Sequence, residues 1–428
     1  MTTVTRTLDS QSPIVLERAE VRSWKAPIAL AIFVVIGAVV FVGFGREGAS
    51  TFLLSRRGDA IQIPGIVAPT LATCIAVVLL VAAITAWSAY RAYRAQKTPV
   101  WALGLFGFLF VVGFLTWAAA GASLPVSGLL IGTLGISVPL IFGALGGVIS
   151  ERAGVVNVAI EGQLLAGAFV AAVVASVTRQ PLLGLAAAMI AGVLVSFVLA
   201  AFAIKYLVDQ VIVGVVLNVL VAGLTSFLFS QVLSEDTALL NSPPGFDPIN
   251  IPILSEIPIL GPVLFRQTII VYVMYVAIAA VWFALYRTRW GLRVRSVGEH
   301  PHAADSVGIN VASTRFWSVS LAGAIAGFGG AYLTLDAVGS FNKEMTAGAG
   351  FIALAAVIFG RWDPIKATLA ALLFGFATNL QNVLSIIGSP VPSEFMLMLP
   401  YIVTIFAVAG LVGKSRPPAA DGKPFIKS

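Results

Sequence analysis

The segment RTRWGLRVRSVGEHPHAADSVGINVASTR, residues 287–315, decides the fold because it stands between the apolar runs 267–286 and 316–335. It is the one long basic and polar stretch between such runs. A run of about 20 apolar residues spans the ~30 Å hydrocarbon core of a bilayer as a helix. The segment is therefore predicted to be a loop at one membrane face, carried between two spanning helices.

The composition points to the same class of protein for the whole chain. Of 428 residues, 59% are hydrophobic and 11% are charged, and the mean hydropathy is +0.98. In lipid, only helices and closed barrels satisfy their own backbone polar groups, and these apolar runs are too long for the alternating pattern of a barrel. We therefore expect an all-α, polytopic helical bundle with about twelve membrane-spanning helices. The predicted spans are 26–44, 66–87, 101–120, 128–149, 157–177, 182–204, 211–233, 267–286, 316–335, 348–360 (a short one), 365–384 and 397–412.

The distribution of basic residues predicts the orientation. When the loops are assigned to alternating sides, most lysines and arginines fall on the side that holds both termini, and the positive-inside rule makes that side the cytoplasm. The few on the opposite side are Arg46, Arg56, Arg57, Arg179, Arg266 and Lys343. The net charge of +7 thus reflects topology, and no aromatic-interleaved basic domain for a nucleic acid polymer is present.

Changes in amino-acid composition divide the chain into segments. Residues 1–25 are predicted to be a cytoplasmic segment, 26–120 an additional unit of three membrane helices, and 121–412 a core that is richer in glycine and in intramembrane polar residues. The loop 287–315 lies within that core. Residues 413–428, KSRPPAADGKPFIKS from Lys414, have the composition of a disordered cytoplasmic tail.

Glycines recur at small-xxx-small spacing, as in Gly143 with Gly147 and Gly323 with Gly327. Such spacing is typical of close helix packing in membranes. It predicts a tightly packed bundle and carries no information about a transported solute.

Polar residues inside the second half of the chain are the candidates for a translocation pathway. Ionisable groups at membrane depth are costly and by default mark function, although Glu161 lies near a helix start, where it could equally serve the positive end of the helix dipole. A row of amides and hydroxyls in the eleventh span suits a neutral, small polar solute, with interhelical hydrogen bonding as the alternative. The candidates are Asn157, Glu161, Gln163, Thr378, Asn379, Asn382 and Ser385.

Catalytic, metal and nucleotide sites are not expected. The single cysteine, Cys74, excludes a disulfide framework, and His300 and His302 lack the further ligands that a zinc site needs. The stretch VAGLVGKS at 408–415 resembles a phosphate-binding loop but lacks its first glycine and follows a predicted spanning helix. We predict that this chain is not an enzyme and holds no cofactor.

Within the loop, the residues Glu299 to Gly308 predict a short capped helix. Pro301 suits the first helical position and Gly308 the position after the last one. A helix this short is marginal alone, so we expect it to pack against a partner, a soluble protein on the cytoplasmic side.

Three stretches in order resemble a known family. GLRVRSVGEHPHAADSVGIN resembles the cytoplasmic coupling segment of permease subunits in the branched-chain amino acid and ribose superfamily of ABC importers. SERAGVVNVAIEGQLLAGAF (150–169) and GAGFIALAAVIFGRWDP (348–364) are similar to the nucleoside-type branch, whose binding protein is a basic-membrane-lipoprotein-like lipoprotein. The resemblance covers about residues 124–412 and leaves out the first three spans.

The resemblance implies a multi-pass subunit in the plasma membrane of a prokaryote, surrounded by membrane lipids. It implies a second homologous permease, cytoplasmic ABC ATPase subunits that bind ATP and Mg, and an extracellular substrate-binding lipoprotein. The solute would be a nucleoside or a related small polar compound. The residues implied to couple to the ATPase are Glu299, His300, Pro301, His302, Ala303, Ala304, Asp305 and Gly308.

Alternatives remain open at this point. The solute could be a monosaccharide or a branched-chain amino acid. An ion-coupled secondary transporter would need charged groups buried at mid-membrane, and Glu161 is the one visible candidate. A membrane enzyme would need convergent acid–base groups, whereas the acidic residues are scattered over loops.

Overall fold

The computed structural model describes residues 23–427, apart from 57, 60, 390, 393, 396–397 and 399–415. Fourteen α-helices lie within these residues, and five short strands accompany them. The helices are α1 Lys25–Gly37, α2 Thr70–Tyr93, α3 Val100–Ala118, α4 Val126–Arg152, α5 Ile160–Thr178, α6 Pro181–Ala200, α7 Gln210–Leu228, α8 Thr237–Leu240, α9 Ile269–Arg287, α10 Arg289–Glu299, α11 Pro301–Ser306, α12 Val311–Tyr332, α13 Ala349–Phe359 and α14 Pro364–Ile386. The strands are β1 Ala49–Leu53, β2 Ile66–Pro69, β3 Ser123–Pro125, β4 Ile249–Asn250 and β5 Arg266–Gln267.

Ten helices in the described ranges are long and apolar enough to cross a membrane. They are α1 to α7, α9, α12 and α14, and four of them (α1, α6, α7 and α12) are prolonged by a π-helical turn. The prediction of an all-α polytopic bundle is confirmed. The short tenth run, 348–360, forms the eleven-residue helix α13, which is not among the ten helices long enough to cross a membrane. The predicted twelfth span, 397–412, lies outside the described residues, and the orientation of the termini stays a prediction.

The chain divides into two compact units. The first comprises the residues up to Ser50 together with Ala68–Gly121, and contains α1 to α3. Its core is a small apolar cluster that includes Leu30, Val81 and Phe106. Wholly apolar faces of these helices remain exposed, as expected for helices that contact lipid.

The second unit comprises Thr51–Val67 and the residues from Ala122 onward. Its largest core cluster surrounds α4, most of whose residues from Ser137 to Glu151 are buried. In the same unit, β1 runs parallel to β3 with Thr51 opposite Ser123, and β4 pairs antiparallel with β5. The helix α4 is therefore the central helix of this unit, and α12, α13 and α14 pack against it.

The contact between α6 and α12 is made by glycines in backbone contact. A Cβ atom added at Gly192 would lie 2.0 Å from the carbonyl oxygen of Gly323. One added at Gly327 would lie 2.2 Å from the carbonyl oxygen of Ala188. The small-xxx-small spacing predicted close packing at Gly323 and Gly327, and this prediction is confirmed.

Candidate functional site

The predicted coupling residues run from Glu299, the last residue of α10, through α11 to Gly308. We call α10 and α11 together the coupling segment. The hydroxyl of Thr288 accepts a hydrogen bond from the amide of Gly291 and starts α10 directly after α9. His300 breaks the helix with φ −141° and ψ 80°, and Pro301 is the first residue of α11. Gly308, at φ +86°, ends it. The short capped helix predicted from Pro301 and Gly308 is confirmed, whereas α10 was not predicted as a helix.

The eight predicted coupling residues divide between an inner and an outer face of this segment. Ala304 is buried, in an apolar cluster with Val297 and Val311. Pro301 and Asp305 are half-buried. The exposed members are Glu299, His300, His302, Ala303 and Gly308. The outer face, continued by Ser306 and Val307, is thus open to a partner.

Two open cavities flank the turn that follows α11. One, of about 500 Å³, is lined by residues that include Trp290, Arg293 and Trp317. The other, of about 490 Å³, is lined by residues that include Asp305 and Phe425. The turn at residues 308–310 lines both cavities and therefore forms a ridge between two grooves at the end of the coupling segment.

Asn157 and Gln163 belong to a fully buried hydrogen-bond network. Their amide groups bond each other at 3.1 and 3.3 Å, and the Gln163 amide also donates to the hydroxyl of Ser196 on α6 at 2.9 Å. All three side chains are 0% exposed. A satisfied network of this kind links the start of α5 to α6.

Glu161 caps the amino-terminal end of α13. Its Oε1 accepts hydrogen bonds from the hydroxyl of Thr346 at 2.6 Å and from the amide of Gly348 at 2.9 Å. Its Oε2 accepts one from the amide of Gly350 at 2.6 Å. The first amides of a helix lack intrahelical partners and favour a negative charge. This carboxylate therefore binds the start of α13, a helix other than its own.

The four candidates on α14 differ in their surroundings. Asn379 is buried, and its amide donates to the carbonyl of Leu129 on α4 at 2.7 Å, in space left by Gly132. Thr378 is half-buried and bonds within its own helix. Asn382 and Ser385 are exposed and have no side-chain hydrogen bond to the residues that the structure describes.

The seven pathway candidates are therefore not brought together at one point. Ile160, next to Glu161, contacts α4 at Gly143 and Gly147, whereas Asn379 contacts it at Leu129. At 1.5 Å per residue these levels are roughly 20 Å apart. Their assignment to a pathway stays a prediction.

Sequence reasoning missed a buried charged cluster at the foot of the coupling segment. Glu151, the penultimate residue of α4, is 2% exposed and accepts a hydrogen bond from the indole of Trp362. Arg315, near the start of α12, is also 2% exposed and donates to the carbonyl of Lys423 at 2.9 Å. Asp421 completes the cluster and interacts electrostatically with both Glu151 and Arg315. The signal available was the SERAGVVN stretch, which places Glu151 at the end of a span.

The expectation of a disordered tail does not hold for residues 416–427. Pro418 and Ala420 are buried, and Phe425 packs in the apolar cluster of the coupling segment. Composition favoured disorder because the tail alone cannot bury apolar surface. The apolar surface that orders it comes from residues more than a hundred positions earlier in the chain.

Within the described ranges, no three histidine, cysteine, aspartate or glutamate side chains lie close enough to hold a metal ion. The structure is thus a bundle of helices long enough to cross a membrane, with the coupling segment at one end and buried polar groups inside. The family described as branched-chain amino acid transport system, permease component, matches residues 129–408.

The chain belongs to this family. It is thus a multi-pass plasma-membrane protein and a permease subunit that works with other subunits of an ABC transporter. The match agrees with the resemblance seen in residues 124–412 and leaves α1 to α3 outside it.

Curated relatives extend this result. The chain is 42% identical to the guanosine ABC transporter permease protein NupQ of Bacillus subtilis over 308 residues, which cover 69% of this chain and 95% of that protein. It is 40% identical to the nucleoside ABC transporter permease protein NupC of Lactococcus lactis subsp. cremoris, over 68% of this chain and 94% of that protein. A putative glucose ABC transporter permease protein of Haloferax volcanii, TsgC13, is 38% identical over 60% of this chain and 77% of that protein. No solved structure matches the chain.

Proposed function

We propose that this chain is a permease subunit of an ABC importer that takes up nucleosides. The observation that carries the proposal is the similarity to two permeases named for guanosine and for nucleosides, which extends over nearly their whole length. The exposed amide of Asn382 and hydroxyl of Ser385 on α14 suit a neutral, hydrogen-bonding solute.

The coupling role of α10 and α11 is part of the proposal. A segment that transmits force must be rigid. The glycines of α10 allow the coupling segment to pack closely against the bundle. A Cβ atom at Gly291 would lie 2.1 Å from the carbonyl oxygen of Ala284 on α9, and one at Gly298 would lie 2.1 Å from that of Arg152 at the end of α4. Because packed elements are bistable rather than freely deformable, a push on the exposed face of α11 would reach α4 and α9.

The partners follow from the same arrangement. We assign ATP and Mg to separate cytoplasmic ATPase subunits that grip the ridge, and delivery of the solute to an extracellular binding lipoprotein. A second permease is supported by α14, where Asn382 and Ser385 are exposed on a spanning helix. Polar side chains facing lipid are costly, so this face fits a pathway between two subunits.

The decisive experiment is uptake by cells with and without this chain, using a panel of labelled nucleosides with glucose, ribose and leucine as competitors. We expect uptake of one or more nucleosides to depend on the chain and to resist all three competitors. The glucose permease among the relatives makes a monosaccharide the second candidate. Dependence of glucose uptake alone on the chain would overturn the nucleoside assignment.

The coupling role has its own test. Deletion of 301–307 should abolish uptake and release the ATPase while the protein stays in the membrane. Purified chain that concentrates a nucleoside in liposomes without any other subunit would show a secondary transporter and refute the proposal.

The pathway role of α14 is tested with a matched pair on one helix. Asn382→Leu should raise KM for the transported nucleoside, because it removes a hydrogen-bonding group from the proposed path. Leu369→Ala, at an apolar position that is 60% exposed, is the control and should leave KM unchanged. Equal KM values for the two variants would remove Asn382 from the pathway.

A further inference from the structure

Residues 416–427 run along the coupling segment and are joined to it by backbone hydrogen bonds. The amide of Ala420 donates to the carbonyl of Gly298 at 2.9 Å. The amide of Ala419 donates to Oε2 of Glu299 at 3.2 Å. Both acceptors lie at the end of α10, next to the break that starts α11.

Phe425 provides an apolar anchor in the same region. It packs against the cluster formed by Val297, Ala304 and Val311, which belong to α10, α11 and α12. Its ring centroid lies 5.1 Å from that of His302. One aromatic side chain of the tail thus packs on the apolar cluster at which the three helices meet. The next residue, Ile426, is 66% exposed and serves as a matched control.

A polar junction fastens the other side of the tail to the bundle. Arg315 donates to the carbonyl of Lys423, and a Cβ atom at Gly154 would lie 2.8 Å from Nη2 of Arg315 and 3.2 Å from the carbonyl oxygen of Ala420. Asp421 interacts electrostatically with Arg315 of α12 and lies close enough to Glu151 of α4 for the two carboxyl groups to interact. The tail therefore connects the coupling segment with α4, α12 and the loop between α4 and α5.

The tail contacts Glu299 and His302 at one edge of the outer face of the coupling segment and leaves most of that face exposed. His302, Ala303 and Val307 are exposed, and Val307 is 77% exposed. A segment that blocked the ATPase would cover these side chains. The tail instead fills the inner flank, beneath the face that a partner would touch.

We propose that residues 416–427 are a coupling strap, which holds the coupling segment rigidly to α4 and α12 so that movement of the ATPase is passed to the bundle. This inference rests on the proposed coupling role of α10 and α11. Without the strap, α11 would rest on the bundle through the few apolar contacts of Ala304 and could yield under load. ATP would then be hydrolysed with little transport.

The test uses the complete importer, with both permeases, the ATPase and the binding protein. The variants are truncation after Arg416, Phe425→Ala, and the control Ile426→Ala. Membrane level, copurification of the ATPase, ATP hydrolysis and nucleoside uptake are measured for each. We expect the first two variants to keep the ATPase bound and hydrolysing while uptake per ATP falls by roughly tenfold, which corresponds to about 1.4 kcal/mol of docking free energy. Ile426→Ala should behave as wild type.

Each other outcome overturns the strap. Unchanged uptake per ATP in Phe425→Ala and in the truncation shows that the tail transmits nothing. Higher uptake shows that it is a brake, and loss of the ATPase shows that it is a docking surface. If the truncated protein does not reach the membrane, Phe425→Ala decides by the same measurements. Failure of the deletion 301–307 to reduce uptake would refute the coupling role itself, whereas its success beside a silent truncation would refute the strap alone.

Discussion

The contacts of Glu161 lead to a prediction that separates a structural role from a role in the pathway. Glu161→Ala removes a carboxylate that accepts three hydrogen bonds, from Thr346, Gly348 and Gly350. Thr346 is 4% exposed, so water has little access to replace the lost acceptor there. The substitution affects the first turn of α13. This helix has only eleven residues, so few other hydrogen bonds can offset the loss.

The magnitude follows from the three bonds. A hydrogen bond to a charged group contributes about 1.5–3 kcal/mol, and relaxation of the half-buried site recovers part of the sum. We expect Glu161→Ala to lower the free energy of unfolding by about 3–5 kcal/mol, and Glu161→Gln by about 2 kcal/mol, because an amide keeps one acceptor oxygen. Thr346→Val should cost about 1 kcal/mol, and much less when Glu161 is already Ala, since the two groups share one bond.

The assay is unfolding of the purified protein in nanodiscs, by heat and by denaturant, together with uptake. The control is Glu256→Ala, because Glu256 is an exposed carboxylate without a side-chain hydrogen bond in the described part of the chain. A Glu161→Ala protein that unfolds like wild type but transports poorly would refute the cap. It would show that the carboxylate acts on the solute or on an ion.

Three further predictions concern packing, a buried amide and the strap. Gly192→Ala places a methyl group 2.0 Å from a backbone oxygen, so we expect little folded protein in a fluorescence-detected gel-filtration assay. The control Gly223→Ala, where a methyl group would meet no heavy atom within 4 Å, should match wild type. Equal yields of folded protein for the two variants would contradict the prediction. Asn379→Leu removes the interhelical hydrogen bond to the carbonyl of Leu129, which keeps its bond from the hydroxyl of Thr133. The substitution should lower stability in denaturant by about 0.5–1.5 kcal/mol, and an unchanged midpoint would show that the interhelical bond contributes nothing. Burial raises the pKa of Asp421 to about 7, so its docked form binds the proton more tightly and docking weakens as the pH rises from about 4 to about 7. The exchange protection factor of the Ala420 amide should fall over that range in wild type and stay level in Asp421→Asn; parallel curves would refute the titration.

The spans were predictable because they depend on local composition. A helix of apolar residues is the stable solution in lipid whatever its neighbours are, so the runs marked α1 to α7, α9, α12 and α14 well. The start of α11 at Pro301 and its end before Gly308 were also predictable, since proline and glycine act through their own backbone geometry. The helix α10 was not predicted because its apolar positions, such as Val294 and Val297, are interleaved with arginines, so that the segment has the composition of a polar loop.

The polar sites were much less predictable because they are made by residues far apart in the sequence. The bonds of Glu161 join residues separated by 185 to 189 positions, and the bond from Asn379 spans 250. Spacing within one helix shows which side chains share a face, but it does not show which residues of a neighbouring helix pack against that face. The order of the tail has the same origin, since Phe425 packs on a cluster built from 297, 304 and 311.

The packing of α12 limits how the molecule can move. Its first turns carry Val311, which packs in the cluster of the coupling segment, and Arg315, which binds the tail. Its middle is in backbone contact with α6 through Gly323 and Gly327. These two regions lie on one helix, so displacement of the coupling segment must carry α6 with it.

The same constraint extends to α5. A Cβ atom at Gly167 would lie 2.2 Å from the carbonyl oxygen of Gly327, and one at Gly330 would lie 1.9 Å from that of Leu164. Backbone contacts of this kind have no side chains that could slide, and the Gln163–Ser196 hydrogen bond adds a polar link between α5 and α6. Interiors packed this closely transmit strain rather than absorb it. The helices α5, α6 and α12 should therefore move as one body, so any movement passed on by the coupling segment should displace that body as a whole rather than rearrange it internally.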